Sequence, residues 1–277
     1  MKISLVSDST SDIPQELIDQ YGLEIVPAIL TVGGKSYEDG RGISREEYYS
    51  QLPKLKIPPI TSSPSVGSFQ ERYEKLLRAG AEKILSIHPP SNLSGIFNAA
   101  RLAAESFGGR VHVLDSGQLS LGLGFQVLAA AEKIRHGALM EEILNLVESV
   151  RQRVRVMALL DTMEYMRRSG RVSWAKALVG GLLNLKPMIE LRFGVVKRIG
   201  LVRTKAQGIQ SLLENLQAWG VLERLAVLHT NAEEAALQML ERIKPKLETP
   251  ILVVNVTTVI GTHVGPDGLG FATVPAG

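Results

Sequence analysis

KISLVSDSTSDIPQELIDQ, residues 2–20, is the stretch whose reading sets the fold class. Residues 2–7 have the apolar content of a buried strand, and that strand stops at Asp8-Ser9-Thr10-Ser11-Asp12. Pro14 sits where a first-turn proline is tolerated, so Asp12 is the expected N-cap of a helix running through Gln20. The same order of strand, polar loop and helix recurs downstream. A strand is expected over 23–31, a turn at Glu38-Asp39-Gly40, and a helix over 45–52 capped by Ser44. A proline-rich loop spans 53–64. Ser65, or Ser68 with Glu71 three residues on, opens a helix that Gly80 ends. Strands over 83–88 and 111–114 bracket a helix opened by Ser94 and closed at Gly108-Gly109, and helices over 120–135 and 138–152 follow. Strands alternating with helices of this length predict a parallel sheet covered on both faces.

The second half changes character. A strand over 154–160 precedes helices over 162–168 and 173–184. Strands over 187–191 and 195–202 then flank Phe193-Gly194, as in an antiparallel hairpin. A helix over 205–218, a strand over 225–229, a helix over 232–244 and a strand over 251–256 complete the chain. The expected architecture is two α/β domains. One, residues 1–155, has a parallel sheet flanked by helices; the other, residues 156–277, has a mixed sheet.

Composition narrows the function classes. The chain has 277 residues, of which 45% are hydrophobic and 21% charged, enough to bury a large core. It has no cysteine, which excludes disulfides, Cys-based zinc sites and a Cys nucleophile, and fits a reducing, cytoplasmic setting. The first apolar stretch is too short for a signal-peptide core, and no stretch approaches the roughly 20 residues of a membrane helix. A soluble, unprocessed protein is expected. The net charge of +3 is mild and no long basic run occurs, so nucleic acid is not an expected partner. In the densest basic stretch, Arg167 and Arg168 read as a solvated helix end.

Four polar loops stand where strands end, the place where open α/β sheets collect ligands. They are residues 8–12, Thr61-Ser62-Ser63-Pro64-Ser65, Ser91-Asn92-Leu93-Ser94-Gly95, and Asp115-Ser116-Gly117. At Ser94-Gly95, free N–H groups and the helix dipole favour an anion, and Gly95 allows close approach to the backbone. On the residues alone, however, Ser94 reads first as an N-cap, and the 61–65 loop as a surface turn. Asp8 and Asp12 have no His or Glu at a ligand spacing, so a local turn or cap is preferred to a metal site. Gly122-Leu123-Gly124 lacks the third glycine of a dinucleotide fingerprint, and no Walker-type ATP motif occurs, so no cofactor is expected. His263 lies in VIGTHVGP, residues 259–266, read as a glycine-flanked loop after a buried strand. There it is either a core histidine or an imidazole brought to a pocket.

Taken in order, the segments SDSTSD (7–12), YEDG (37–40), TSSPS (61–65), LSG (93–95) with NAA (98–100), DS (115–116), DTMEY (161–165) continuing to GRVS (170–173), and IGTHVGP (260–266) resemble the DegV family of bacterial lipid-binding proteins, almost end to end. The resemblance implies a long-chain fatty acid held between two α/β domains. It implies a carrier without catalytic chemistry of its own, acting as the acyl-carrying subunit of a fatty acid kinase whose separate ATP-binding partner phosphorylates the carboxylate. Contact with a membrane would be transient. The family's carboxylate-binding positions fall on Thr61 and Ser94, with Ser62, Gly95 and His263 in support. Arg171, and less securely Arg203, fall on arginines that face the kinase.

Departures are Ile96 where Thr is common, Ser63 where Gln is common, and Asp267 in the closing loop, expected to point outward. A buried chain of about fifteen methylenes is worth up to roughly 12 kcal/mol at about 0.8 each, before association costs. The carboxylate therefore needs orientation and satisfied hydrogen bonds more than affinity. Two competing readings are a serine hydrolase, with Ser94 as nucleophile, His263 as base and Asp8 or Asp115 as orienter, and a dihydroxyacetone-kinase-like substrate subunit. Ser94 lacks the Gly-x-Ser-x-Gly elbow that the first would favour.

Overall fold

β1 (Ile3–Asp8) runs between β2 (Glu24–Val26) and β6 (Lys83–His88), with β7 (Val111–Asp115) beyond β6, and all these strands are parallel. The structure, a computed structural model, describes residues 2–170, 185–243, 247 and 249–277. Strand alternation sorts the sheet's side chains between two layers. Val6 and Ile84 pack under α3 (Val66–Arg78) and α4 (Ile96–Ala104), whereas Ile3, Leu5, Leu85 and Ile87 pack against α5 (Leu121–Arg135). A parallel sheet flanked by helices is what the opening stretch predicts.

The second sheet has the order β10-β9-β8-β13-β11-β12. Its strands are β8 (Arg155–Leu159), β9 (Lys186–Arg192), β10 (Val195–Val202), β11 (Leu222–His229), β12 (Leu252–Asn255) and β13 (Leu269–Pro275). Only the β11–β12 pair is parallel, so the sheet is mixed. The helices α8 (Lys205–Ala218) and α9 (Glu233–Glu241) pack against it. α5 touches both sheets, which is why Leu121–Ala131 is buried all round. A Cβ on Gly122 would stand 2.5 Å from Val156 on β8, and one on Gly124 would stand 2.7 Å from the Ser11 carbonyl. The glycine pair that fails as a nucleotide fingerprint is thus a close-packing device. A small antiparallel sheet, β3 (Ile29–Val32) between β4 (Lys35–Glu38) and β5 (Ile60–Ser62), completes the strands among the described residues. Three short helices pack beside it: α2 (Arg45–Gln51), α7 (Glu164–Arg168) and α10 (Thr258–Val264).

Several expectations are corrected. Residues 23–31 are two strands in different sheets, because Pro27 cannot donate to a ladder and the Ala28 N–H goes to Ser9 Oγ. The proline-rich loop contains β5. Asp12 does not cap the helix α1 (Gln15–Tyr21), whose N-cap position is Pro14. Asp12 is left-handed (φ 56°) and buried instead. His263 lies on α10 rather than in a loop, and β13 lies beyond the last strand that the sequence predicts. The predicted helix over 173–184 lies outside the described residues. We propose that the two domains divide near residue 155, where β8 begins.

Candidate functional site

The carboxyl ends of β1 and β6 open onto a cavity of about 480 Å³, the position and size expected of a ligand site in such a sheet. Its walls are mainly apolar: Val156, Ala158, Ile189, Leu191 and Leu228 come from the mixed sheet, and Val259 and Ile260 from α10. No described lining residue is charged.

One part of the wall is polar. Thr61 Oγ1 stands 3.0 Å from His263 Nε2, and Thr61, Ser62, Ser63, Ser94, Gly95 and His263 all line the cavity. β5 pairs with β3 in the register Leu30↔Thr61, so the pleat leaves Thr61 half-buried between exposed Ile60 and Ser62. Gly95 brings the two loops together, since a Cβ there would stand 2.9 Å from Ser63 Oγ. Ser94 Oγ accepts the Ile96 N–H at 3.3 Å, so Ser94 does serve the start of α4 and its own O–H remains to donate. His263 is seated by the packing of α10 on α2. Gly261 lies against the Tyr49 ring, Tyr49 donates to the Val256 carbonyl at 2.9 Å, and Tyr48 and Thr262 share a hydrogen bond at 2.5 Å. Two hydroxyls beside the first-turn N–H groups of α4 can hold an anion with no cation in contact.

Thr61 and His263 are also one wall of a smaller cavity of about 230 Å³, lined further by Pro58, Pro59, Ile60, Arg168 and Ser169. Arg168 is therefore no solvated helix end. It is half-buried, donates to the Leu55 carbonyl at 2.6 Å, and stands 3.7 Å from Glu164. Its spacing alone did not separate it from exposed Arg167. Arg171 lies outside the described residues. Arg203 is exposed at the turn before α8, where its backbone N–H donates to Gln207, and it does not line the cavity. Asp267 is exposed and absent from the cavity wall.

The hydrolase constellation is not assembled. His263 meets Thr61 rather than Ser94, and Asp115 accepts the backbone N–H groups of Ser91 and Gly117. Asp8 instead holds His88 Nδ1 at 2.7 Å, and His88 Nε2 stands 2.6 Å from Ser86 Oγ. That Ser86–His88–Asp8 relay is fully buried and closed off by Tyr73, so no substrate reaches it. Asp8 also caps its own loop by accepting the Thr10 N–H. Among the described residues no cluster of His, Asp and Glu is placed to hold a metal ion, and no helix is long and apolar enough to cross a membrane. Of the polar loop 8–12 marked in the sequence, Thr10 reaches the cavity wall, and Ser120 and His229, which the sequence reading missed, line it too. Ser120 sits in a loop with no distinctive pattern, and His229 looks like any strand-end histidine.

Comparison with known proteins identifies the family and its fold. The family described as "Uncharacterised protein, DegV family" matches residues 2–276. A DegV domain-containing protein of Caldanaerobacter subterraneus subsp. tengcongensis is 35% identical, over 97% of each chain. The structure of a DegV family protein from Thermus thermophilus, described for its fatty acid binding, superposes with a TM-score of 0.90 at 33% identity, over all of both chains. DegV of Bacillus subtilis, described as a fatty acid binding protein, gives a TM-score of 0.89 at 30% identity, again over all of both chains. With the family's pattern matched from residue 2 to residue 276 and a relative 35% identical over nearly its whole length, this chain belongs to the DegV family.

Proposed function

We propose that this chain is a carrier that binds a long-chain fatty acid in the 480 Å³ cavity and presents its carboxylate, at the Thr61–Ser94–His263 end, to a separate ATP-binding kinase subunit. The observation that carries the reading is an apolar, uncharged cavity meeting two hydroxyls and a helix start. A fatty acid has that same division: a long apolar chain and one anionic end. The fatty-acid-binding relatives support it. A Thr61 hydroxyl that donates to the carboxylate can accept from His263 Nε2, so both groups keep a partner. Ser62 and Gly95 frame the same end. The outer cavity with Arg168 is the side from which a phosphoryl donor would approach.

Calorimetry with a fatty acid and its methyl ester tests this reading. Thr61→Ala or Ser94→Ala removes a hydrogen bond to a charged group, worth about 1.5–3 kcal/mol, and should weaken the acid while sparing the ester. An equal loss for both ligands would mean that these hydroxyls do not read the carboxylate.

The carrier has no nucleotide motif, so phosphoryl transfer would come from the partner, and arginines at the seam would supply positioning and charge. Arg171 and Arg203 are the proposed contacts. Arg171→Ala should leave fatty acid affinity and melting temperature nearly unchanged yet lower acyl phosphate formation with the kinase. Lost stability with unchanged coupled activity would make Arg171 structural. The same reading places the protein in the cytoplasm, with only passing membrane contact during exchange of its ligand. The dihydroxyacetone-kinase-like alternative needs His263 free to attack a carbonyl, whereas its Nε2 is engaged by Thr61.

A further inference from the structure

His229 ends β11 on the cavity wall and is only 4% exposed. Its Nδ1 accepts the Ala232 backbone N–H at 3.2 Å, so Nδ1 carries no proton. Burial pulls the imidazole below its ordinary pKa, which leaves the ring neutral with its one proton on Nε2. That N–H has no acceptor among the described residues, and His229 is one of the residues that line the cavity.

Two hydroxyls share this part of the wall. Thr10 Oγ1 donates its proton to Asp8 at 2.5 Å, and Ser120 Oγ donates to Asp12 at 2.6 Å. Each proton is committed to a carboxylate, so both hydroxyls offer the cavity only lone pairs. The groups form one patch. The Ser120 N–H bonds the Thr10 carbonyl, Asp12 accepts both Ser120 Oγ and the Thr257 N–H, and the neighbouring Val256 N–H bonds the His229 carbonyl. From Thr257, at the start of α10, to His263 is roughly 9 Å of helix at about 1.5 Å per residue, so the patch is set apart from the Thr61–His263 end.

We propose that this patch is a second recognition site within the cavity, selecting an acyl chain that bears a hydroxyl group several carbons from its carboxylate. The chemistry matches on both counts. An alcohol oxygen accepts from His229 Nε2–H, and its proton goes to Thr10 or Ser120. A plain methylene chain satisfies none of them, and a buried donor left without an acceptor is unfavourable. The inference rests on the fatty acid reading and deepens it by naming the substrate class.

The test is calorimetry on delipidated protein with stearic acid and a panel of positional hydroxystearic acids. At least one isomer should bind roughly tenfold more tightly than stearic acid, the effect of one additional satisfied hydrogen bond. His229→Leu should abolish that preference while still binding stearic acid. His229→Asn, which keeps an acceptor for the Ala232 N–H and draws its amide N–H back from the Nε2 position, should weaken the preference if the leucine variant folds poorly. Stearic acid binding with no isomer preferred, or a preference that survives loss of the imidazole, overturns the inference and leaves the carrier reading intact. Binding of neither class overturns both.

Discussion

Asp12 shows how far one residue can depart from its local signal. It follows a polar loop and precedes a proline, so it reads as a helix cap. Its carboxylate is instead buried, where it accepts Ser120 Oγ and the Thr257 N–H and faces Arg45 at 3.3 Å. These partners are remote in sequence, which is why spacing could not find them. Burial pushes the carboxyl up to about 6, against the pull of Arg45 and Ser120. The unfolded chain releases that proton near 3.8, so between pH 3.8 and about 6 the folded state binds more protons. Stability from this group is therefore greatest below that window and is lost as the pH rises through it, a change on the order of 3 kcal/mol. Urea unfolding at pH 4 and pH 7 checks this. The advantage of wild type over Asp12→Asn should shrink on going to pH 7, and a constant difference would count against the buried, perturbed carboxyl.

At the scale of elements, β13 organises the mixed sheet by lying between β8 and β11. Gly270 makes this possible, because the Met157 carbonyl of β8 occupies the space a Cβ would need, with Ala158 Cα 3.1 Å away. Gly270→Ala should cost about 1–3 kcal/mol of overpacking and lower the urea midpoint without changing the slope. A midpoint equal to wild type would show that the β8–β13 approach is looser than the register implies. Strands and helices with long periodic patterns were legible: β1, β6, α5, α8 and the β9–β10 hairpin fall close to their expected places. β13 was not, since Gly268-Leu269-Gly270 looks like a turn until two neighbouring strands are there to cover it. β2 and β3 read as one strand because the apolar run continues through both, although Pro27 between them marks the break. His263 reads as part of a loop because flanking glycines mask a helix of seven residues.

For the whole molecule, α5 holds the two sheets together while the ends of β1 and β6, β5 and α10 close around one cavity. The polar end was legible only through the joint order of several short motifs. Taken singly, Ser94 reads as a cap and the 61–65 loop as a turn. Thr61 and His263 are 202 residues apart in the chain, and only the fold brings them within hydrogen-bonding distance. His229 and Arg168 had no such pattern to mark them. The central claim is that the cavity exists to hold a fatty acid. The most direct measurement is to extract the purified protein and quantify its lipid by mass spectrometry, with calorimetry on the delipidated sample. The account predicts about one long-chain fatty acid per chain, and rebinding after its removal. Protein that purifies free of lipid and gives no heat with added long-chain acids would contradict it.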